Sequence, residues 1–79
     1  MKTVLITGSS SGIGKAAAIY FQQQGWQVAA TMRSPEKETD LNQMAHVKLY
    51  ALDVTSAAGV EQALKKVQKD FGRIDAVVN

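Results

Sequence analysis

At 79 residues, 46% hydrophobic and 20% charged, the chain is at most one small domain, burying roughly 60% of the surface its unfolded form exposes. Without cysteine it has no disulfides, thiolate metal sites or thiol nucleophiles, and a net charge of +2 makes no case for nucleic acid. After Lys2 only Val4 to Ile6 are clearly apolar, short of the ~7 to 15 residues of a secretory core and the ~20 of a membrane span, so a cytoplasmic location without a membrane partner is expected.

The elements alternate strand and helix, which predicts α/β architecture with a parallel sheet. Residues 2–7 read as a strand buried on both faces. A helix follows over 13–24, with Ile13, Ala17, Tyr20 and Phe21 on one face and Gly25 as its left-handed cap. Trp26 is placed to pack over that helix end. Residues 27–32 form the second strand, which Ser34-Pro35 ends because proline offers no N–H to a ladder.

Residues 36–45 are polar apart from Leu41, Met44 and Ala45, and predict a short helix or loop. His46, the sole histidine, reads as a surface residue before the third strand at 47–52. Ser56 is the expected N-cap of a helix over 57–71, with Val60, Leu64, Val67 and Phe71 on one face and Gly72 as its stop. On that helix Lys65, Lys66 and Lys69 read as a solvated face. Residues 74–78 begin a fourth strand. Right-handed crossovers then give the order 3-2-1-4, with a crevice above the C-terminal ends of strands one and four. Both Gly8–Gly14 and Asn79 point there.

The turn Thr7-Gly8-Ser9-Ser10-Ser11-Gly12-Ile13-Gly14 carries the chemistry. Gly8 permits a sharp turn off the strand, Gly12 a close approach of backbone to a pyrophosphate, and Gly14 tight packing of helix on sheet. The first N–H groups of the helix have no internal partners and form an anion site, to which Ser9, Ser10 and Ser11 can add hydroxyls. A triphosphate-binding loop fails, because position 9 is serine where that motif needs glycine and Ala16 follows Lys15 where it needs serine or threonine. The competing reading is a helix start rich in small residues that holds no ligand.

With these motifs the chain resembles the short-chain dehydrogenase/reductase family. The turn matches that family's Thr-Gly-x-x-x-Gly-Ile-Gly signature. Leu52-Asp53-Val54-Thr55 looks like its Asp-Val element. Ile74-Asp75-Ala76-Val77-Val78-Asn79 looks like its fourth strand, which normally runs on into Asn-Asn-Ala-Gly. The resemblance covers essentially the whole chain, but only the first third or so of a typical member. It implies a Rossmann-like doubly wound half-domain over 1–79, with Gly8, Ser10, Ser11, Gly12, Ile13 and Gly14 around the pyrophosphate and adenosine ribose. It also implies that Asp53 accepts from the adenine amino group, that Val54 lies beside the ring, and that Asn79 lines the crevice. Alternative roles are a turn cap for Asp53 and a sheet tie for Asn79.

Charge argues the cofactor. NAD-preferring members place a carboxylate at the end of strand two. Here Ala30-Thr31-Met32-Arg33 has none before Glu36. Arg33 suits a 2′-phosphate, and Ser10 could donate to it, so NADP is favoured over NAD. Arg33 could instead pair with Glu36 or Glu38.

The family's hydride transfer uses a tyrosine with a lysine four residues later. Tyr20 is followed at that spacing by Gln24 and Tyr50 by Val54, and Asp40, Glu61 and Asp70 show no acid–base pattern. No catalytic or metal residue is assigned. The expectation is the cofactor-binding part of an NADP-dependent oxidoreductase, inert as this chain alone. A non-catalytic redox-sensing module is the alternative, and a ligand-free α/β fragment a third reading. A sheet edge left open at 76–78 predicts self-association or a partly molten chain.

Overall fold

A computed structural model describes residues 1–10 and 12–79, and Ser11 lies outside the described residues. Four strands, β1 (Thr3–Ile6), β2 (Gln27–Met32), β3 (Val47–Ala51) and β4 (Ala76–Val78), form one parallel sheet in the expected order β3-β2-β1-β4. Register places Leu5 beside Ala29 on one side and Val77 on the other. Helix α1 (Gly12–Gln23) links β1 to β2, and α2 (Ala57–Phe71) links β3 to β4. The polar stretch after β2 resolves into two 3-10 turns, Pro35–Lys37 and Leu41–Gln43. Among the described residues no helix is long and apolar enough to cross a membrane.

Local chemistry sets the helix ends. Gly25 takes φ 85° and donates to Gln22, while Trp26 donates from its backbone to Phe21. This double bond satisfies carbonyls the helix would otherwise leave open. It also brings the Trp26 ring edge-on to Phe21 at 5.0 Å, the packing expected of Trp26. At α2, the Ser56 hydroxyl accepts from the Gly59 N–H at one end. Gly72, at φ 81°, donates to Gln68 at the other.

The strand alternation splits the core. Val4, Ile6, Val28, Ala30, Met32 and Val47 pack under α1 with Ala18 and Leu41. Leu5, Ala29 and Tyr50 pack under α2 with Val67. The Tyr50 hydroxyl donates to Asp70 at 2.7 Å, and burial, then Asp70, push that phenol above its ordinary range. Asp70 thus serves packing.

The expected stripes hold in part: Ala17 and Phe21 of α1 pack against one core cluster, and Val67 with Phe71 of α2 belong to the other. On α1, Ile13 is 88% and Tyr20 58% exposed, while Ala18 is fully buried. On α2, Ala63 and Val67 face inward and Leu64 does not. Close approach is seen where α1 begins, with Gly14 against the Gly8 carbonyl, and Ala18 and Ala63 fill inward positions that a search for large apolar residues passes over.

Candidate functional site

The glycine turn leaves β1 at its C-terminal end. Gly8 and Gly12 adopt φ of 64° and 61°, left-handed values that side chains resist. Apart from its immediate chain neighbours, a Cβ added at either would meet no atom of the described residues within 4 Å, so the space there is open. Gly14 is required for the opposite reason. A Cβ there would collide with the Gly8 carbonyl, lying 2.8 Å from its carbon and nearer still to its oxygen. Helix α1 therefore begins against the turn itself.

Hydroxyls tie this turn to β2. The buried Ser9 side chain donates to the Ile6 carbonyl at 2.9 Å, and Thr31 donates to the same oxygen at 2.7 Å. The Ser9 N–H donates to the Thr31 carbonyl at 3.1 Å. Ser9 is thus consumed by the scaffold, which corrects its expected part in holding an anion. Ser10 stays exposed, as does Ile13 at the mouth of the turn. The first turn of α1 carries no acidic residue, which leaves the positive end of the helix dipole unopposed by its own side chains.

Arg33 follows β2 directly, its side chain largely exposed. Its guanidinium lies 3.8 Å from Asp53, not against Glu36 or Glu38. Asp53 also accepts from the hydroxyl and N–H of Thr55, at 2.6 and 3.0 Å. Those two bonds, with Arg33 beyond them, hold its carboxyl below the usual range. The turn-capping role weighed for Asp53 is therefore present in this structure, alongside its place at the lip. Val54 is exposed next to it.

Two hollows adjoin Arg33. One, of about 290 Å³, is lined by Gly8, Ser10, Met32, Arg33, Leu52 and Val54. The other, of about 320 Å³, is lined by Ser10, Arg33, Ser34, Lys37 and Glu38. A larger groove of about 550 Å³ runs between β3 and α2, with Arg33 and Asp53 at one end and Lys66 among its lining. Asn79 lies on the far side of the turn, where the Thr7 hydroxyl is 3.4 Å from Asn79 Oδ1 and from the Val78 carbonyl. It also lines an apolar hollow with Leu5, Val54 and Val77.

Three residues of this region were given no binding role by sequence reasoning, which weighed Glu38 only as a partner for Arg33 and Lys15 only in the triphosphate-loop test. Lys37 adds a second cation to the hollow beside Arg33. Glu38 is buried, and its Oε2 accepts from the N–H groups of Asp40 at 2.7 Å and Leu41 at 2.9 Å. Lys15 spans from α1 to Asp40 at 2.6 Å and Glu38 at 3.4 Å. The backbone bond from Leu41, with smaller help from Asp40 and Lys15, holds the Glu38 carboxyl below its usual range. A signal existed in the basic residue four positions after Arg33, but the burial of Glu38 depends on Leu41 entering the core.

A parallel sheet ordered β3-β2-β1-β4, with a glycine turn opening the first crossover helix, defines a Rossmann-like α/β fold. The chain belongs to the short chain dehydrogenase family, whose model matches residues 2–79. It is 44% identical over 80 residues to the short-chain dehydrogenase ptmH of Penicillium ochrochloron, covering 99% of this chain and 30% of that protein. A short-chain dehydrogenase structure from Streptomyces avermitilis matches with TM-score 0.89 and 32% identity, over 98% of this chain and 30% of that one. The alcohol dehydrogenase of the archaeon Thermococcus sibiricus, complexed with 5-hydroxy-NADP, matches with TM-score 0.84 and 37% identity, over 98% and 35%. The chain thus spans about a third of the length of these relatives.

Proposed function

We propose that residues 1–79 form the dinucleotide-binding unit of an NADP-dependent short-chain oxidoreductase. The observation that carries this reading is the open lip between the glycine turn and the end of β2. There the exposed Ser10, Arg33 and Lys37 border one hollow, and among the described residues nothing beyond the immediate chain neighbours fills the space beside Gly8 and Gly12. The N–H groups opening α1 suit a pyrophosphate. Arg33 and Lys37 suit a 2′-phosphate, with Ser10 and Ser34 as hydroxyl donors. Asp53 and Val54 take the adenine, Gly14 and Ile13 the phosphate side, and Asn79 the continuation of the crevice. The Thermococcus sibiricus enzyme's complex with a modified NADP supports a dinucleotide of this class.

The nicotinamide, when bound, carries the hydride exchanged with a carbonyl or alcohol. The residues of this chain grip the adenosine end and fix where the rest of the cofactor leads. Self-association through the outer edge of β4 belongs to the same reading, because that edge offers unpaired N–H and C=O groups to a further strand.

Calorimetric titration with adenosine 2′,5′-bisphosphate and with adenosine 5′-monophosphate tests the proposal. The bisphosphate binds tighter to the unaltered chain. Arg33→Ala removes a charge-assisted contact of about 1.5–3 kcal/mol, roughly a 10- to 150-fold loss for the bisphosphate. The monophosphate is nearly unchanged. Equal losses for both ligands overturn the preference for NADP.

A further inference from the structure

The hollow that borders Arg33 and Lys37 has a carboxylate in its wall. Glu38 lines it beside Ser10 and Ser34, with its side chain only 4% exposed. A buried carboxylate next to a bound phosphate repels it through a medium that screens poorly. Glu38 cannot turn away, because its Oε2 holds the N–H groups of Asp40 and Leu41, and Leu41 is fully buried in the core under α1. Asp40 adds a second negative charge next to it.

Lys15 faces both carboxylates. Lys15 Nζ lies 3.4 Å from Glu38 and 2.6 Å from Asp40. It comes from the first turn of α1, directly after Gly14, so the helix that begins at the phosphate-binding turn also carries the compensating charge. With Lys15 in place the trio carries a single net negative charge, and without it two.

We propose that Lys15 determines preference for 2′-phosphorylated adenine nucleotides by neutralising Glu38 in the wall of the Arg33–Lys37 hollow. The proposal rests on the reading of that hollow as a 2′-phosphate site. Lys15 need not touch the ligand. Its effect passes through the carboxylate it compensates, and this separates it from Arg33, which faces the phosphate directly.

The test compares adenosine 2′,5′-bisphosphate with adenosine 5′-monophosphate on the whole chain, by calorimetry at low salt. Lys15→Met is expected to weaken the bisphosphate by about 5-fold with little change for the monophosphate, as loss of one nearby charge at a partly solvated site dictates. Lys15→Arg keeps the charge and the preference. Adding Glu38→Gln to Lys15→Met restores the preference, because glutamine keeps an oxygen for both N–H groups and removes the charge. A purely structural role for Lys15 as a strut between α1 and the loop gives no such rescue. The proposal is overturned if Lys15→Met weakens both ligands equally or neither, or if the double variant stays as weak as the single one. Unaltered chain that binds the two ligands equally removes the 2′-phosphate reading itself, and this proposal with it. Should Lys15→Met fail to fold by circular dichroism, the Glu38→Gln single variant decides. Stronger bisphosphate binding supports the proposal, and unchanged or weaker binding overturns it.

Discussion

The two faces of the sheet are packed to different depths. Under α1, Val4, Ile6, Val28, Ala30, Ala18 and Leu41 are fully buried, and the glycine turn is stitched to β2 by Ser9 and Thr31. Under α2, Leu5, Ala29 and Val67 are buried, but Leu64, Val54 and Val77 remain 37%, 62% and 54% exposed. The difference teaches where precision is needed. A turn that presents backbone N–H groups to an anion works only if the strand and helix flanking it are immobile, and the deep face supplies that rigidity. The shallow face presents an open apolar hollow lined by Leu5, Val60 and Val77 instead.

Cavity formation exposes the contrast most strongly. Ile6→Ala on the deep face is expected to cost about 2–5 kcal/mol, whereas Val77→Ala on the open edge costs about 0.5 kcal/mol or less. Urea unfolding of the two variants measures this, and equal losses would erase the distinction between the faces.

A smaller change probes the seam between turn and helix. Gly14→Ala drives a methyl group into the Gly8 carbonyl, a backbone contact that cannot swing aside. The expected cost is about 3 kcal/mol, seen as a fall of roughly 12 to 24 °C in melting midpoint for a domain of this size. A melting midpoint unchanged by Gly14→Ala would mean that α1 does not begin against the turn.

Acid sharpens the contrast at the β1–β4 seam. Asp75 accepts from Arg73 and from the Thr3 N–H, which ties β4 to the start of β1. The Arg73 bonds, then the Thr3 N–H, hold its carboxyl below the usual range. A carboxylate with a lowered folded pKa stabilises above its unfolded value, about 3.9 for Asp, and that contribution disappears as pH falls through the folded value. The part of the melting midpoint that Asp75 supplies is therefore constant above about pH 5 and is lost below about pH 4. Asp75→Asn makes the fall shallower. An identical acid profile in the variant would show that the seam owes nothing to this carboxylate.

Much of the fold was legible because its punctuation is chemical. Gly25, Gly72, Ser56 and Pro35 end or begin elements by conformations and donors that each residue type alone supplies, and the strand order follows from crossover handedness. The helix faces were legible in part: Phe21, Val67 and Phe71 pack inward as their spacing implies, but Ala18 and Ala63 are too small to carry an apolar signal. In the site, Gly8, Gly12 and Arg33 could be named from spacing and charge. Residue type alone did not separate Ser9 from Ser10, although the family resemblance left Ser9 out of the site, since only the folded turn sends one hydroxyl inward to Ile6. The pairing of Glu38 with Lys15 stayed hidden for a related reason: it joins positions 23 residues apart through a loop whose anchor, Leu41, declares itself only in the core.

Amide NMR of the chain titrated with NADPH tests the central claim most directly. The account predicts saturable shifts concentrated at Gly8, Ser10, Gly12, Gly14 and Arg33, with the amides of Gln68 and Lys69 on α2 left in place. Shifts that spare the glycine turn, or that are no larger there than along α2, would contradict it.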